Sequence, residues 1–183
     1  MINPESDVLP DGHHWFRVAD AHWDDPLDPS YAQRHGGRWN PPNSFPSLYL
    51  NEDLRTARAQ ITHLLEGSPV DPEDLDGPYV LVTVSLPRSQ IVADAVTDAG
   101  IGSLGLPSTY PVLDDALVSH DRCQSIGAAV KLAGLRGVHA RSAATPDGAG
   151  RELAWFPARP SSKARRVTPD KPFNDWWYSE AIG

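Results

Sequence analysis

The chain has 183 residues, a formal net charge of −8 and an apolar fraction of 40%. That suits one compact domain with a real core and excludes global disorder; the acidic balance argues against a broad basic face for nucleic acid. No apolar run approaches the roughly 20 residues of a membrane span, and a single cysteine, Cys123, leaves no disulfide framework and no four-cysteine zinc site, so a reducing, cytoplasmic setting fits.

Eighteen prolines and 14 glycines predict short elements joined by many turns. Residues 1–12 are polar, without a basic start or apolar stretch, and read as a flexible N-terminus rather than a secretory signal. HWFRVA, residues 14–19, alternates and predicts a first strand. Residues 20–43 are rich in Asp, Pro and Gly with no regular period. Trp15, Phe16, Trp23, Tyr31 and Trp39 in and beside this stretch make it an ordered loop that lines something. SLYL, residues 47–50, is a short strand. Asn51 then caps a helix whose apolar stripe is Leu54, Ala57, Ile61, Leu64 and Leu65, ended by Gly67.

After an acidic connector, YVLVTVSL (residues 79–86) is the clearest strand; residues 89–96 read as another, with IVADAV also able to begin a short helix. Residues 98–115 read as a loop with turns. Residues 120–135 form a second main helix, with Cys123 on its apolar face. Residues 137–143 are a strand, TPDGAG a turn, and ELAWFP its hairpin partner. The chain thus divides into a domain over residues 13–160 and a tail over 161–183. The tail's aromatics Phe173, Trp176, Trp177 and Tyr178 pack on the domain or on a partner. The expected architecture is α+β, a single domain of short strands with two main helices.

The segment with most chemical content is His35-Gly36-Gly37-Arg38-Trp39-Asn40-Pro41-Pro42. Two glycines let backbone approach a ligand, Arg38 offers a planar fork for phosphate oxygens, Trp39 can pack or stack, and Asn40 can bond backbone or ligand. The same residues also read as a plain glycine turn with a solvated arginine and a core tryptophan. If Leu48 and Leu50 face the core, Tyr49 faces the opposite surface, and Gln60 lies off the helix stripe, so both can flank one cleft with Arg38. Ser142 has no recognisable base beside it and is a hydrogen-bonding residue rather than a nucleophile. Glu152, near Ser142 across the hairpin, is a further candidate carboxylate. His22 and His35 flank the long loop and are candidates for phosphate contact. No P-loop, dinucleotide fingerprint or paired-histidine zinc motif is present.

GGRWNPP, the LYL strand after a short gap, and the helix that follows resemble the RES-domain family over about residues 15–156. Arg38 matches the family Arg, Tyr49 a family Tyr of the cleft, and Ser142 the family Ser. DRCQSIG, residues 121–127, is similar to the helix start of mycobacterial-type members. The family Glu falls on Gln60, a departure. The resemblance implies an ADP-ribosyltransferase-like fold and a bacterial toxin of an Xre–RES toxin–antitoxin pair. Such a toxin breaks the nicotinamide–ribose bond of NAD, and a cognate helix-turn-helix (Xre-type) antitoxin neutralises it. It implies NAD as substrate, inorganic phosphate as co-substrate where cleavage is phosphorolytic, and no metal. It implies no direct contact with nucleic acid or membrane, and leaves a homo-oligomer open.

By the same resemblance, Arg38 holds the pyrophosphate, with Gly37, Trp39, Asn40 and Tyr49 in the binding site. Tyr49 also shapes the nicotinamide–ribose end, Gln60 bonds ribose, and Ser142 bonds substrate. Two alternatives stand beside this reading. One is a weakened or silent relative that only binds NAD; the other is an ADP-ribosyltransferase acting on a protein.

Overall fold

The computed structural model describes residues 3–75, 78–145, 147–158 and 163–179. Its centre is an eight-stranded sheet in the order β1-β5-β8-β9-β3-β2-β4-β10. The strands are β1 (Ser6–Val8), β2 (Trp15–Asp20), β3 (Leu48–Asn51), β4 (Tyr79–Ser85), β5 (Ile91–Ala95), β8 (Gly137–Arg141), β9 (Arg151–Trp155) and β10 (Arg165–Arg166). A small separate hairpin joins β6 (Val112–Leu113) to β7 (Ala116–Leu117). Among the described residues only β5 and β8 run parallel; the other pairs are antiparallel. The helices are α1 (Ser30–His35), α2 (Leu54–Leu64), α3 (Asp98–Ser103), α4 (His120–Leu132) and α5 (Phe173–Trp177). The architecture is α+β in a single domain, and α2 and α4 are its two main helices.

Alternation along the strands divides the core. Leu48 and Leu50 of β3, Val82 and Val84 of β4, and Leu153 and Trp155 of β9 pack together on one face with Trp15. On the other face two groups of helices share the cover. α3 and α4 pack over β5 and β8, around Trp39, Tyr110, Ile126 and Phe156. α2 and α5 pack over β2 and β4, where Ala57 and Ile61 meet Leu81, Phe173 and Trp176. The seam between these groups lies over β3 and β9, and the cleft opens there.

Several expectations need correction. Within the N-terminal stretch read as flexible, Ser6–Val8 adds an edge strand to β5, satisfying backbone groups that its polar side chains do not reveal. The long loop contains α1, and residues 98–115 contain α3, started by Thr97, whose hydroxyl accepts from the Gly100 N–H at 3.1 Å. Asn51 is the last residue of β3. The cap of α2 is Asp53, which accepts from the Thr56 N–H at 2.7 Å, and Leu64 is exposed. In the tail, Phe173 and Trp176 are fully buried against α2. Residues 1–2, 159–162 and 180–183 of the expected termini lie outside the described residues.

Candidate active site

The turn before β3 is held from three sides. The Gly37 N–H donates to the Asn40 carbonyl at 2.9 Å, and Gln124 Nε2 of α4 donates to the Gly37 carbonyl at 2.9 Å. A Cβ on Gly37 would stand 2.4 Å from Tyr49 Oη, so glycine is what lets the tyrosine lie against the turn. Helix α4 comes equally close. A Cβ on Gly127 would lie 1.8 Å from the Trp39 carbonyl oxygen.

Tyr49 fastens this turn. Its hydroxyl accepts from the Trp39 N–H at 2.8 Å and donates to Asn40 Oδ1 at 2.7 Å. Burial pushes the phenol far above its ordinary range, against the opposing effect of its backbone partners, so the hydroxyl stays neutral. Trp39 and Asn40, expected to touch a ligand, are fully buried and line no part of the cleft. The Trp39 ring packs on Tyr110 at 5.9 Å, and Asn40 Nδ2 donates to the Ala32 carbonyl at 2.7 Å. Their polar atoms are used inside the protein, which makes them supports of the loop.

Arg38, Tyr49, Gln60 and Ser142 do converge. They line one cleft of about 390 Å³, together with Gly37, Arg17 and Glu152. Arg38 is half-buried; its Nη1 donates to the Val118 carbonyl at 2.9 Å and lies 3.9 Å from Cys123 Sγ. Gln60 Oε1 accepts from Asn51 Nδ2 at 2.7 Å, which ties α2 to β3. Ser142 Oγ donates to Glu152 Oε2 at 3.1 Å.

Four residues of the cleft were not singled out as site residues in the sequence. Arg17 of β2 donates from Nη1 to the Tyr49 carbonyl at 2.9 Å. β2 and β3 share one register pair, Phe16 with Asn51, and Arg17 occupies the gap that follows it. Burial pulls its pKa down to about 10, partly offset by Asp25 and Asp28, so it remains a cation at neutral pH. Neither Arg17 nor Arg38 makes an ion pair among the described residues. His63 and His120 stand in the wall, and burial and the Arg38 charge lower the His120 pKa. Exposed Trp23 completes the set, stacked on Tyr31 at 6.2 Å. His22 and His35 do not line the cleft. His22 bonds Asp20 at 2.9 Å, and His35 packs on Tyr31 at 4.5 Å. An HWFR strand pattern reads as core, so nothing in it marks Arg17 as a cleft residue.

Unpaired guanidiniums in a concave site suit the oxygens of a phosphate or pyrophosphate. Aromatic faces at the rim suit a planar ring, and the Gln60 and Ser142 groups suit sugar hydroxyls or an amide. A chain that is acidic overall therefore presents a locally cationic recess. Among the described residues no group of acidic, histidine or cysteine side chains has the arrangement of a metal site.

The RES domain family model matches residues 14–177. The NAD(+) phosphorylases MbcT of Mycobacterium bovis and Mycobacterium tuberculosis are 29% identical over 124 residues, or 67% of this chain. The match spans 63% of the length of those relatives. A chain in the crystal structure of the M. tuberculosis MbcT–MbcA toxin–antitoxin complex matches with a TM-score of 0.68 at 24% identity. That match covers 95% of this chain and 88% of the other, a likeness of fold.

Proposed function

The chain belongs to the RES domain family, and from that premise we propose that its cleft binds NAD and breaks the nicotinamide–ribose bond. The observation that carries this reading is the convergence of Arg17, Arg38, Tyr49, Gln60 and Ser142 on one recess. The two arginines hold the pyrophosphate. The Tyr49 ring shapes the ribose end, Gln60 and Ser142 bond ribose and carboxamide, and Trp23 with Tyr31 offers a stacking face at the rim.

The bond breaks with its electron pair leaving on nicotinamide, which departs neutral. The ribose carbon and ring oxygen then carry positive charge, as in glycoside cleavage. An oxygen of inorganic phosphate, or of water, forms the new bond to that carbon. Phosphorolysis is favoured over hydrolysis by the naming of the MbcT relatives as NAD(+) phosphorylases. The toxin–antitoxin complex in which the similar fold occurs supports a growth-inhibiting role. Here a cognate helix-turn-helix antitoxin would cover the cleft, in the cytoplasm where NAD is available.

The test is incubation of purified protein with NAD, with and without phosphate, reading nicotinamide release and the ribosyl product. Phosphate-dependent release with an ADP-ribose phosphate product supports phosphorolysis; free ADP-ribose supports hydrolysis. Release no greater than that of Arg38→Ala refutes the enzymatic reading. One observation favours a second reading, in which NAD is bound but not cleaved: the uncharged amide of Gln60. Saturable NAD binding without nicotinamide release would support it.

A further inference from the structure

The wall of the cleft carries two arginines, two histidines and, among the described residues, a single carboxylate, Glu152. Its position follows from register. Glu152 pairs with Asn51 of β3 and Ala140 of β8, so its side chain shares a face with Asn51, Tyr49 and Ser142. The neighbouring acids are committed elsewhere. Glu52 pairs with His139 at 3.3 Å on the opposite face, and Asp53 caps α2. Glu152 forms no ion pair among the described residues, and Ser142 is the side chain that hydrogen-bonds it. The Trp39 indole N–H influences the same carboxylate without meeting hydrogen-bond geometry. Holding an unpaired carboxylate inside a fold is costly, and an apolar or amide residue there would be cheaper for folding. Burial raises its pKa, while the Arg38 charge and the Ser142 bond oppose the rise.

We infer that Glu152 is the catalytic carboxylate of this protein, the anion that faces the ribosyl cation as nicotinamide leaves. This rests on the NAD-cleavage reading. Glu152 acts electrostatically and forms no covalent bond. The electron pair goes to nicotinamide, the new bond comes from phosphate or water, and in hydrolysis the water proton passes to solvent. Gln60 supplies hydrogen bonds and no charge.

The experiment compares wild-type protein, Glu152→Gln, Glu152→Asp and the double variant Gln60→Glu/Glu152→Gln. Each is assayed for nicotinamide release from NAD across pH, and for NAD affinity by calorimetry. Loss of one preorganised electrostatic group predicts a fall in kcat of about 10²–10³ for Glu152→Gln, with NAD affinity nearly unchanged. Glu152→Asp keeps the charge and retains more activity, and the double variant recovers part of the loss.

Wild-type activity should fall toward acid pH as Glu152 takes a proton, and Glu152→Gln should lack that limb. Arg17 of β2, Arg38 of the turn, Tyr49 of β3, His63 of α2 and His120 of α4 also line the cleft, and buried Tyr110 and Cys123 of α4 lie within reach of the Glu152 charge. They are present in both proteins, and the three that the Glu152 charge acts on, Tyr49, Tyr110 and Cys123, are all raised above their ordinary values and so lie outside the acid limb. Wild-type release with Glu152→Gln within threefold of it overturns the role of Glu152 alone. No release by wild-type protein overturns the NAD reading as well.

Discussion

Replacing Tyr49 with Phe removes one oxygen and leaves the ring in place. The hydroxyl accepts from the Trp39 N–H at 2.8 Å and donates to Asn40 Oδ1 at 2.7 Å. Trp39 and Asn40 are both fully buried, so water does not replace the lost partner. An unsatisfied buried group costs about 1–3 kcal/mol, so two cost about 2–6 kcal/mol; Asn40 keeps its bond to Ala32 through Nδ2, which favours the lower half of that range. At about 2–4 °C per kcal/mol for a domain of this size, a loss of about 2–4 kcal/mol lowers Tm by about 4–16 °C.

Arg38 is the residue before Trp39, so the loosened turn should raise KM for NAD more than it lowers kcat. Thermal melts followed by circular dichroism, with nicotinamide-release kinetics below Tm, measure both effects. A Tyr49→Phe protein that melts within 1–2 °C of wild type (roughly 1 kcal/mol or less on the same scale) would refute the argument that this hydroxyl fastens the loop. A fall in kcat alone would show that the hydroxyl acts in the chemistry instead.

Gly127→Ala places a Cβ 1.8 Å from the Trp39 carbonyl, and the strain outweighs the gain of about 1 kcal/mol in helix propensity. A net loss of about 2 kcal/mol in urea unfolding is expected, and a more stable variant would contradict the close approach. The hydrogen bond to His139 holds the Glu52 carboxyl below its ordinary 4.5. The stability it contributes is complete above pH 4.5 and is lost as pH falls through its lower folded value, so Glu52→Gln should flatten the acid side of a Tm–pH curve. Glu152 has the opposite sign. The folded state binds its proton more tightly, so its charge costs stability as pH rises above 4.5, and Glu152→Gln should melt higher than wild type at neutral pH but not at pH 4. The Arg38 charge helps depress His120, so phosphate or NAD seated on Arg38 should raise the His120 titration midpoint by NMR. An unchanged midpoint would place the anion elsewhere.

Elements driven by local pattern were legible in the chain. The alternation of HWFRVA, SLYL and YVLVTVSL marks β2, β3 and β4, and the stripes of α2 and α4 follow from helical spacing. β1 and α3 were not. The first depends on pairing with a distant edge, and the second on a cap at Thr97 within a Gly- and Pro-rich stretch. In the site, GGR and LYL marked Arg38 and Tyr49 because a glycine turn and a strand alternation are local properties.

What the sequence by itself determined was the set of short elements, the α+β class and the chemical types around residues 37–49. Tertiary structure alone decided which polar groups face the cleft. Trp39 and Asn40 turned inward because Tyr49 and Ala32 take their hydrogen bonds. Arg17 reached the cleft because β2 and β3 share a single register pair, and Glu152 became its carboxylate because β9 is set between β3 and β8. The last two outcomes depend on strand register between segments far apart in the chain, and a one-residue slip of β9 would turn Glu152 to the other face.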